Sequence, residues 1–210
     1  MNPLFRQIVS ALVFLGSLNF AGAGDWPQWR GPKRDDVSTE TGLLKTWPAG
    51  GPPLAWKVRG MGVGFSGVSV ANGKIFTMGD GPDGSSVRAF DAKDGQPLWN
   101  TPVGKPGGNY AGTRCTPTVD GNLVFALGQF GDLICVEANT GKEVWRKHLM
   151  KDFGGQYAAW NYTESPLVDG DRVMVTPGGS RGAIVALNKK TGVPIWQSKE
   201  FTDPLSISKS

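Results

Sequence analysis

Gly178-Gly179-Ser180-Arg181-Gly182 has the G-x-S-x-G spacing that presents a serine nucleophile when a strand precedes it and a helix follows. Here Ala183-Ile184-Val185-Ala186 follows, a strand-forming run, so the segment reads as a hairpin loop. Gly62-Val63-Gly64-Phe65-Ser66-Gly67 fits the G-x-G-x-x-G phosphate cradle. It opens into Val68-Ser69-Val70 and an Asn72-Gly73 turn, so no helix dipole would face a pyrophosphate. His148 is the single histidine, and no second ligand stands at metal spacing. Asn161-Tyr162-Thr163 is a glycosylation sequon, with meaning only in a eukaryotic secretory pathway. These motifs yield no catalytic, cofactor-binding or metal-binding residue.

The side chains best suited to recognition lie in two longer connections. One, 107–114, carries Tyr110 and Arg114; the other, 152–164, carries Tyr157, Trp160, Tyr162 and Glu164. Hairpins need about two to five residues, so connections of this length are unusual. Tyr110, Arg114, Trp160, Tyr162 and Glu164 would form a binding face if they point outward. In the alternative, Trp160 and Tyr162 fill the space between repeating units.

Those units are set by a twelve-residue pattern that occurs three times, as 88–99 (RAFDAKDGQPLW), 134–145 (ICVEANTGKEVW) and 185–196 (VALNKKTGVPIW). Each copy has a small residue second (Ala89, Cys135, Ala186) and an acid or amide fourth (Asp91, Glu137, Asn188). Each then has a glycine (Gly95, Gly141, Gly192) followed by a tryptophan (Trp99, Trp145, Trp196). Asp, Asn and Thr bond nearby backbone and Gly supplies positive φ, which together describe a tight turn between strands. A Trp at one fixed place per copy is explained by contact between neighbouring repeats.

Around each copy the sequence predicts a four-stranded meander. The first takes Gly67–Val70, Ile75–Met78, Ser86–Phe90 and Pro97–Thr101. The second takes Cys115–Val119, 122–127, Asp132–Val136 and Glu143–Lys147; the third, Glu164–Val168, Arg172–Thr176, Ala183–Leu187 and Pro194–Ser198. Asn72-Gly73, Asp120-Gly121 and Asp169-Gly170 supply hairpin turns. Trp56, in Pro52-Pro53-Leu54-Ala55-Trp56, stands where an earlier copy would end, giving Trp spacings of 43, 46 and 51. Four-stranded units of that length are blades of an all-β propeller, and no helix is expected after the N-terminal run. Cys115 and Cys135 then fall on strands one and three, about 9–10 Å apart. A disulfide needs about 4.4–6.8 Å between Cα atoms, so both are expected as buried, unpaired thiols.

Composition agrees with many turns around an aromatic core: 31 Gly and 15 Pro beside 8 Trp and 10 Phe in 210 residues. The net charge of +4 comes from dispersed residues, without the basic stripe that nucleic-acid binding requires. Residues 1–23 read as an export signal: Arg6, an apolar run from Ile8 to Phe20, then Ala21-Gly22-Ala23. The run is too short to span a bilayer, no Cys stands at the cleavage site to carry a lipoprotein anchor, and the mature chain is expected outside the cytoplasm. Residues 24–52 read as a loosely structured lead-in with aromatic anchors Trp26, Trp29 and Trp47, and 53–210 as the blades.

The pattern A-x-D-x-x-T-G-x-x-x-W, carried by Ala89/Asp91/Gly95/Trp99 and Ala186/Thr191/Gly192/Trp196, resembles the tryptophan-docking repeat of the PQQ-like (quinoprotein-type) β-propellers. Cys135 and Glu137 depart mildly from it, and Asp25-Trp26-Pro27-Gln28-Trp29-Arg30-Gly31-Pro32 resembles the start of secreted members. The resemblance implies a propeller and either of two roles. One is a ligand- or protein-binding scaffold, like the B subunit of the β-barrel assembly machinery, which binds partner proteins and no quinone. The other is a PQQ-dependent alcohol or sugar dehydrogenase with PQQ and calcium; an extracellular carbohydrate-binding module is a third possibility. The dehydrogenases carry adjacent cysteines beside the quinone, and this chain has no Cys-Cys pair. The expectation is therefore a scaffold without cofactor. Three meanders, with a further strand expected near 53–58, are also expected to be part of a larger ring, with blade faces left uncovered at both ends.

Overall fold

The turn written into the repeat closes in the same way three times. In the computed structural model, which describes residues 24–200, the glycine N–H donates to the fourth-position carbonyl in each copy: Gly95 to Asp91 (2.9 Å), Gly141 to Glu137 (2.8 Å) and Gly192 to Asn188 (2.8 Å). All three glycines are left-handed, with φ of 74°, 69° and 69°. Side chains reinforce the turn: Asp91 Oδ1 accepts from the Lys93 N–H, and Asn188 Oδ1 from those of Lys190 and Thr191.

These turns join the third and fourth strands of three antiparallel sheets, each in sequential order. The first sheet is β1 (Ser69–Ala71), β2 (Lys74–Gly81), β3 (Gly84–Asp91) and β4 (Pro97–Gly104). The second is β5 (Thr118–Asp120), β6 (Leu123–Leu127), β7 (Asp132–Glu137) and β8 (Glu143–His148). The third is β9 (Leu167–Asp169), β10 (Arg172–Val175), β11 (Val185–Asn188) and β12 (Pro194–Gln197). The propeller-blade reading therefore holds, and Asn72-Gly73 forms the expected turn with both residues left-handed.

The first strands begin later than the sequence suggests: at Ser69, Thr118 and Leu167 rather than Gly67, Cys115 and Glu164. The residues before them, with Thr118 itself, also bond across to the neighbouring blade and make no regular ladder with their own sheet. Phe65 N–H donates to Thr113 O (2.7 Å), Thr116 N–H to Ser165 Oγ (3.0 Å), and Thr118 Oγ1 to Pro166 O (2.6 Å). A short helix, α1 (Leu149–Phe153), also corrects the expectation of none. Five residues are too few to show helical periodicity. Leu149 and Phe153 are buried, and left-handed Gly154 caps the C-terminus.

The register explains the small residue in each repeat. Ala89, Cys135 and Ala186 stand directly opposite Trp99, Trp145 and Trp196 on the adjacent strand. Of the four repeat-end tryptophans, Trp56, Trp99, Trp145 and Trp196, the first three each reach the following turn. Trp56, Trp99 and Trp145 donate their indole N–H to Ala92 O (3.2 Å), Ala138 O (3.0 Å) and Lys189 O (2.9 Å). Their rings cover Gly95, Gly141 and Gly192, where an added Cβ would stand 2.7, 2.6 and 2.8 Å from the indole. The middle sheet, docked on both sides, is buried through the interior of β6 and β7. Its strands lose the in–out alternation, as expected when both faces are covered. Trp196 remains 41% exposed.

The lead-in is more ordered at its start and less anchored later than expected. Trp26 pairs with Val70 through two backbone bonds (2.7 and 2.9 Å), Val119 N–H donates to Pro27 O (2.7 Å), and Arg34 Nη2 to Val168 O (2.6 Å). Residues 26–34 thus strap together the first strands of all three blades. Trp29, Leu43, Leu44 and Trp47 are exposed, so they are not anchors. Residues 53–58 form no sheet ladder among the described residues, although Trp56 docks. The export signal expected at 1–23 lies outside the described residues.

Candidate functional site

In an antiparallel meander, the β2–β3, β6–β7 and β10–β11 loops emerge at the same end as the connections between blades. The docking turns lie at the other end. The two long connections therefore share one face with three hairpin loops; a buried polar network ties the 107–114 connection to the β2–β3 and β6–β7 loops, and Tyr162 N–H of the second connection donates to Gln129 O (3.0 Å). Asp80, at the end of β2, is 4% exposed and accepts from the Ser85 hydroxyl, Gly107 N–H (2.7 Å) and Gln129 Nε2 (3.1 Å). Gln129, fully buried, accepts from Arg114 Nη1 (3.3 Å). Arg114 Nη2 donates to Tyr110 O (3.0 Å), and its guanidinium stands 5.6 Å from the Phe65 ring centroid. Every acceptor of Arg114 is neutral, and no carboxylate pairs with it among the described residues.

The five expected face residues divide. Tyr110 and Trp160 stack at 4.9 Å with an interplanar angle of 34°, and remain 54% and 47% exposed. With Arg114 and exposed Phe65 they form one patch from both connections and the first blade. Tyr162 turns inward: it is buried and donates its hydroxyl to Pro177 O (2.8 Å). Glu164 is spent internally, accepting from Thr176 N–H (2.7 Å) and Oγ1 (2.5 Å). Burial pushes the Glu164 carboxyl above its ordinary range, and the two Thr176 bonds pull it partly back. Burial likewise raises the Tyr162 phenol, with Glu164 adding to the effect. Tyr162 and Glu164 thus pack the blade boundary, while Tyr110, Arg114 and Trp160 meet solvent.

Asp80, Gln129 and Phe65 were not legible as site residues. A signal existed for two of them: a polar residue directly after a glycine at the end of the second strand region, in Gly79-Asp80 and Gly128-Gln129. Phe65 was hidden inside the glycine-rich motif. That motif runs beside β2, with Val63 bridged to Asp80, and precedes a strand. Gly178–Gly182 is the loop between β10 and β11, as expected. His148 ends β8 opposite Asp132. Among the described residues no three His, Cys, Asp or Glu side chains are grouped to hold a metal, and no helix is long and apolar enough to cross a membrane.

Comparison with known proteins separates fold from activity. Residues 55–210 match the family described as outer membrane protein assembly factor BamB. The BamB of Kangiella koreensis is 29% identical over 69% of this chain and 33% of its own length. The dehydrogenase subunit of a quinone-type alcohol dehydrogenase from Komagataeibacter europaeus is 30% identical over 57% of this chain and 18% of its own. The chain thus spans a third or less of these two relatives. Among solved structures, quinohemoprotein alcohol dehydrogenase from Comamonas testosteroni superposes with a TM-score of 0.61 over 85% of this chain and 28% of its own, at 22% identity. BamB from Moraxella catarrhalis superposes with a TM-score of 0.50 over 69% of this chain and 39% of its own, also at 22% identity. At that identity the two structures speak for the fold alone.

Proposed function

From the premise that this chain belongs to the PQQ-like repeat family described as outer membrane protein assembly factor BamB, we propose that it acts as an exported scaffold that holds a protein partner on its connection face. The observation that carries the reading is the exposed Tyr110–Trp160 stack beside Arg114. Trp, Tyr and Arg dominate the energetics of protein interfaces: Trp and Tyr combine large area with few rotamers and a polar handle, and Arg adds a planar charged fork of donors. The Arg114 charge, unmatched by a carboxylate among the described residues, suits an acidic group on the partner. The buried Asp80–Gln129–Arg114 network holds that side chain before binding, which lowers the entropy lost on association.

The quinone-dehydrogenase relatives supply the second reading. PQQ is a planar tricarboxylate quinone held with calcium, an ion that takes about six to eight oxygen ligands. The described residues offer no fitting set. Asp80 is buried and fully engaged, Glu164 is engaged by Thr176, and the two cysteines are separate buried thiols. The test is titration of the purified full chain with PQQ and calcium, followed by quinone absorbance and dye-linked alcohol oxidation. The scaffold reading predicts no stoichiometric complex. Tight binding with turnover would establish the dehydrogenase.

A further inference from the structure

A separate groove of about 720 Å³ opens where the β2–β3 turn, the end of β4, the β6–β7 loop, the end of β8 and α1 converge. Its volume is in the range of small-molecule sites, about 300–1,000 Å³. Part of its lining is aromatic. Tyr157 meets Phe130 at 6.3 Å and Tyr162 at 5.7 Å, both edge-type contacts that hold the ring while leaving it 38% exposed. The charged lining residues carry both signs, Asp83 and Asp132 with Lys105 and Lys151. None of these four side chains makes a hydrogen bond or ion pair to another described residue. Asp132 rests over Gly104, where an added Cβ would meet its carboxylate and push that side chain aside.

We propose that this groove binds a short neutral saccharide. The charges balance, so a simple anion or cation is attracted by one pair and repelled by the other. An apolar ligand would cover part of the hydration of these charged groups, Asp132 above all, and return no hydrogen bond. Sugar hydroxyls donate to the carboxylates and accept from the ammoniums with the same functional group. The C–H face of a pyranose packs on the apolar surface of Tyr157, Phe130 and Met150. The site is independent of the Tyr110–Trp160 patch and does not rest on the scaffold reading.

The test is calorimetric titration of the full chain with maltotriose, cellotriose and tri-N-acetylchitotriose, with diglycine and inorganic phosphate as competing ligand classes. At least one trisaccharide is expected to bind with a millimolar or tighter Kd, and diglycine and phosphate are not. Asp132→Asn and Tyr157→Ala should each weaken that binding by about tenfold or more, and Trp29→Ala should not. The Asp132 side chain has no hydrogen-bond or ion-pair partner among the described residues to lose, so its variant remains informative if Tyr157→Ala folds poorly. Absence of binding by all three sugars would overturn the proposal. So would affinity unchanged in both variants, or preferential binding of diglycine or phosphate.

Discussion

Trp145 of the second sheet occupies the space that a side chain on Gly192 of the third would need: an added Cβ would stand 2.8 Å from the indole. The same relation joins Trp99 to Gly141 and Trp56 to Gly95. The glycine therefore serves twice, once for its left-handed turn and once for the neighbour's ring. Because the relation is local to each boundary, the blades behave as nearest-neighbour units.

Trp145→Ala should lower unfolding free energy by about 3–5 kcal/mol, the usual loss for a buried Trp truncated to Ala. Trp145→Phe should cost less, since it keeps most of the packing and loses the bond to Lys189 O. Gly192→Ala should cost about 1–3 kcal/mol through its backbone alone, with collision added. Urea midpoints for the three variants check this ordering. A neutral Gly192→Ala would contradict the docking account.

Cys115 and Cys135 are buried and free, and burial pushes both thiols up to about 12. An unfolded thiol titrates at about 8.5, so the folded state holds these protons more tightly. Their contribution to stability is complete below that value and is lost as pH rises toward the folded one. Native protein should alkylate far more slowly than urea-unfolded protein at pH 8. Mass spectrometry without reduction should find no Cys115–Cys135 crosslinked peptide.

Glu164 has a folded value raised mainly by burial. A raised carboxyl favours the folded state at pH below the unfolded value and loses that advantage as pH climbs through the folded value. Stability should therefore fall across the acidic range just above the ordinary carboxylate value of 4.5. Glu164→Gln keeps an acceptor for Thr176 and removes the charge, so its stability should be flatter over that range. Parallel pH series of thermal melts compare the two; identical slopes would show that the burial has no energetic consequence.

The strap makes a residue-level prediction. Val70 and Val119 donate their amides to Trp26 O (2.9 Å) and Pro27 O (2.7 Å). Deleting residues 24–37 should speed hydrogen exchange at those amides by at least about tenfold, with little change at Val87 in β3. Unchanged protection at Val70 and Val119 would mean that the strap is not formed in solution.

Much of the fold was legible because the repeat writes each turn and each docking residue at fixed spacing. The beginnings of the first strands were not. Residues such as Phe65 and Thr116 have strand-like character but bond across a blade boundary, and one-dimensional pattern does not tell the two apart. α1 was missed because five residues carry too little periodicity. At the site, length and aromaticity located the right connections but not the direction of each side chain. Trp160 and Tyr162 are two residues apart, yet one stacks in solvent and the other is buried on Pro177. Asp80 and Gln129 were invisible because their role is set by a neighbour 49 residues away.

The central claim is that the Tyr110–Trp160 face holds a protein. The most direct measurement places a photoreactive benzoylphenylalanine at position 110 or 160 of the full chain in its native cells, with position 43, also exposed, as control. Irradiation should give the same discrete protein adduct from 110 and 160 and none from 43, and Arg114→Ala should diminish it. No adduct at 110 and 160, or the same adduct from 43, would contradict the account.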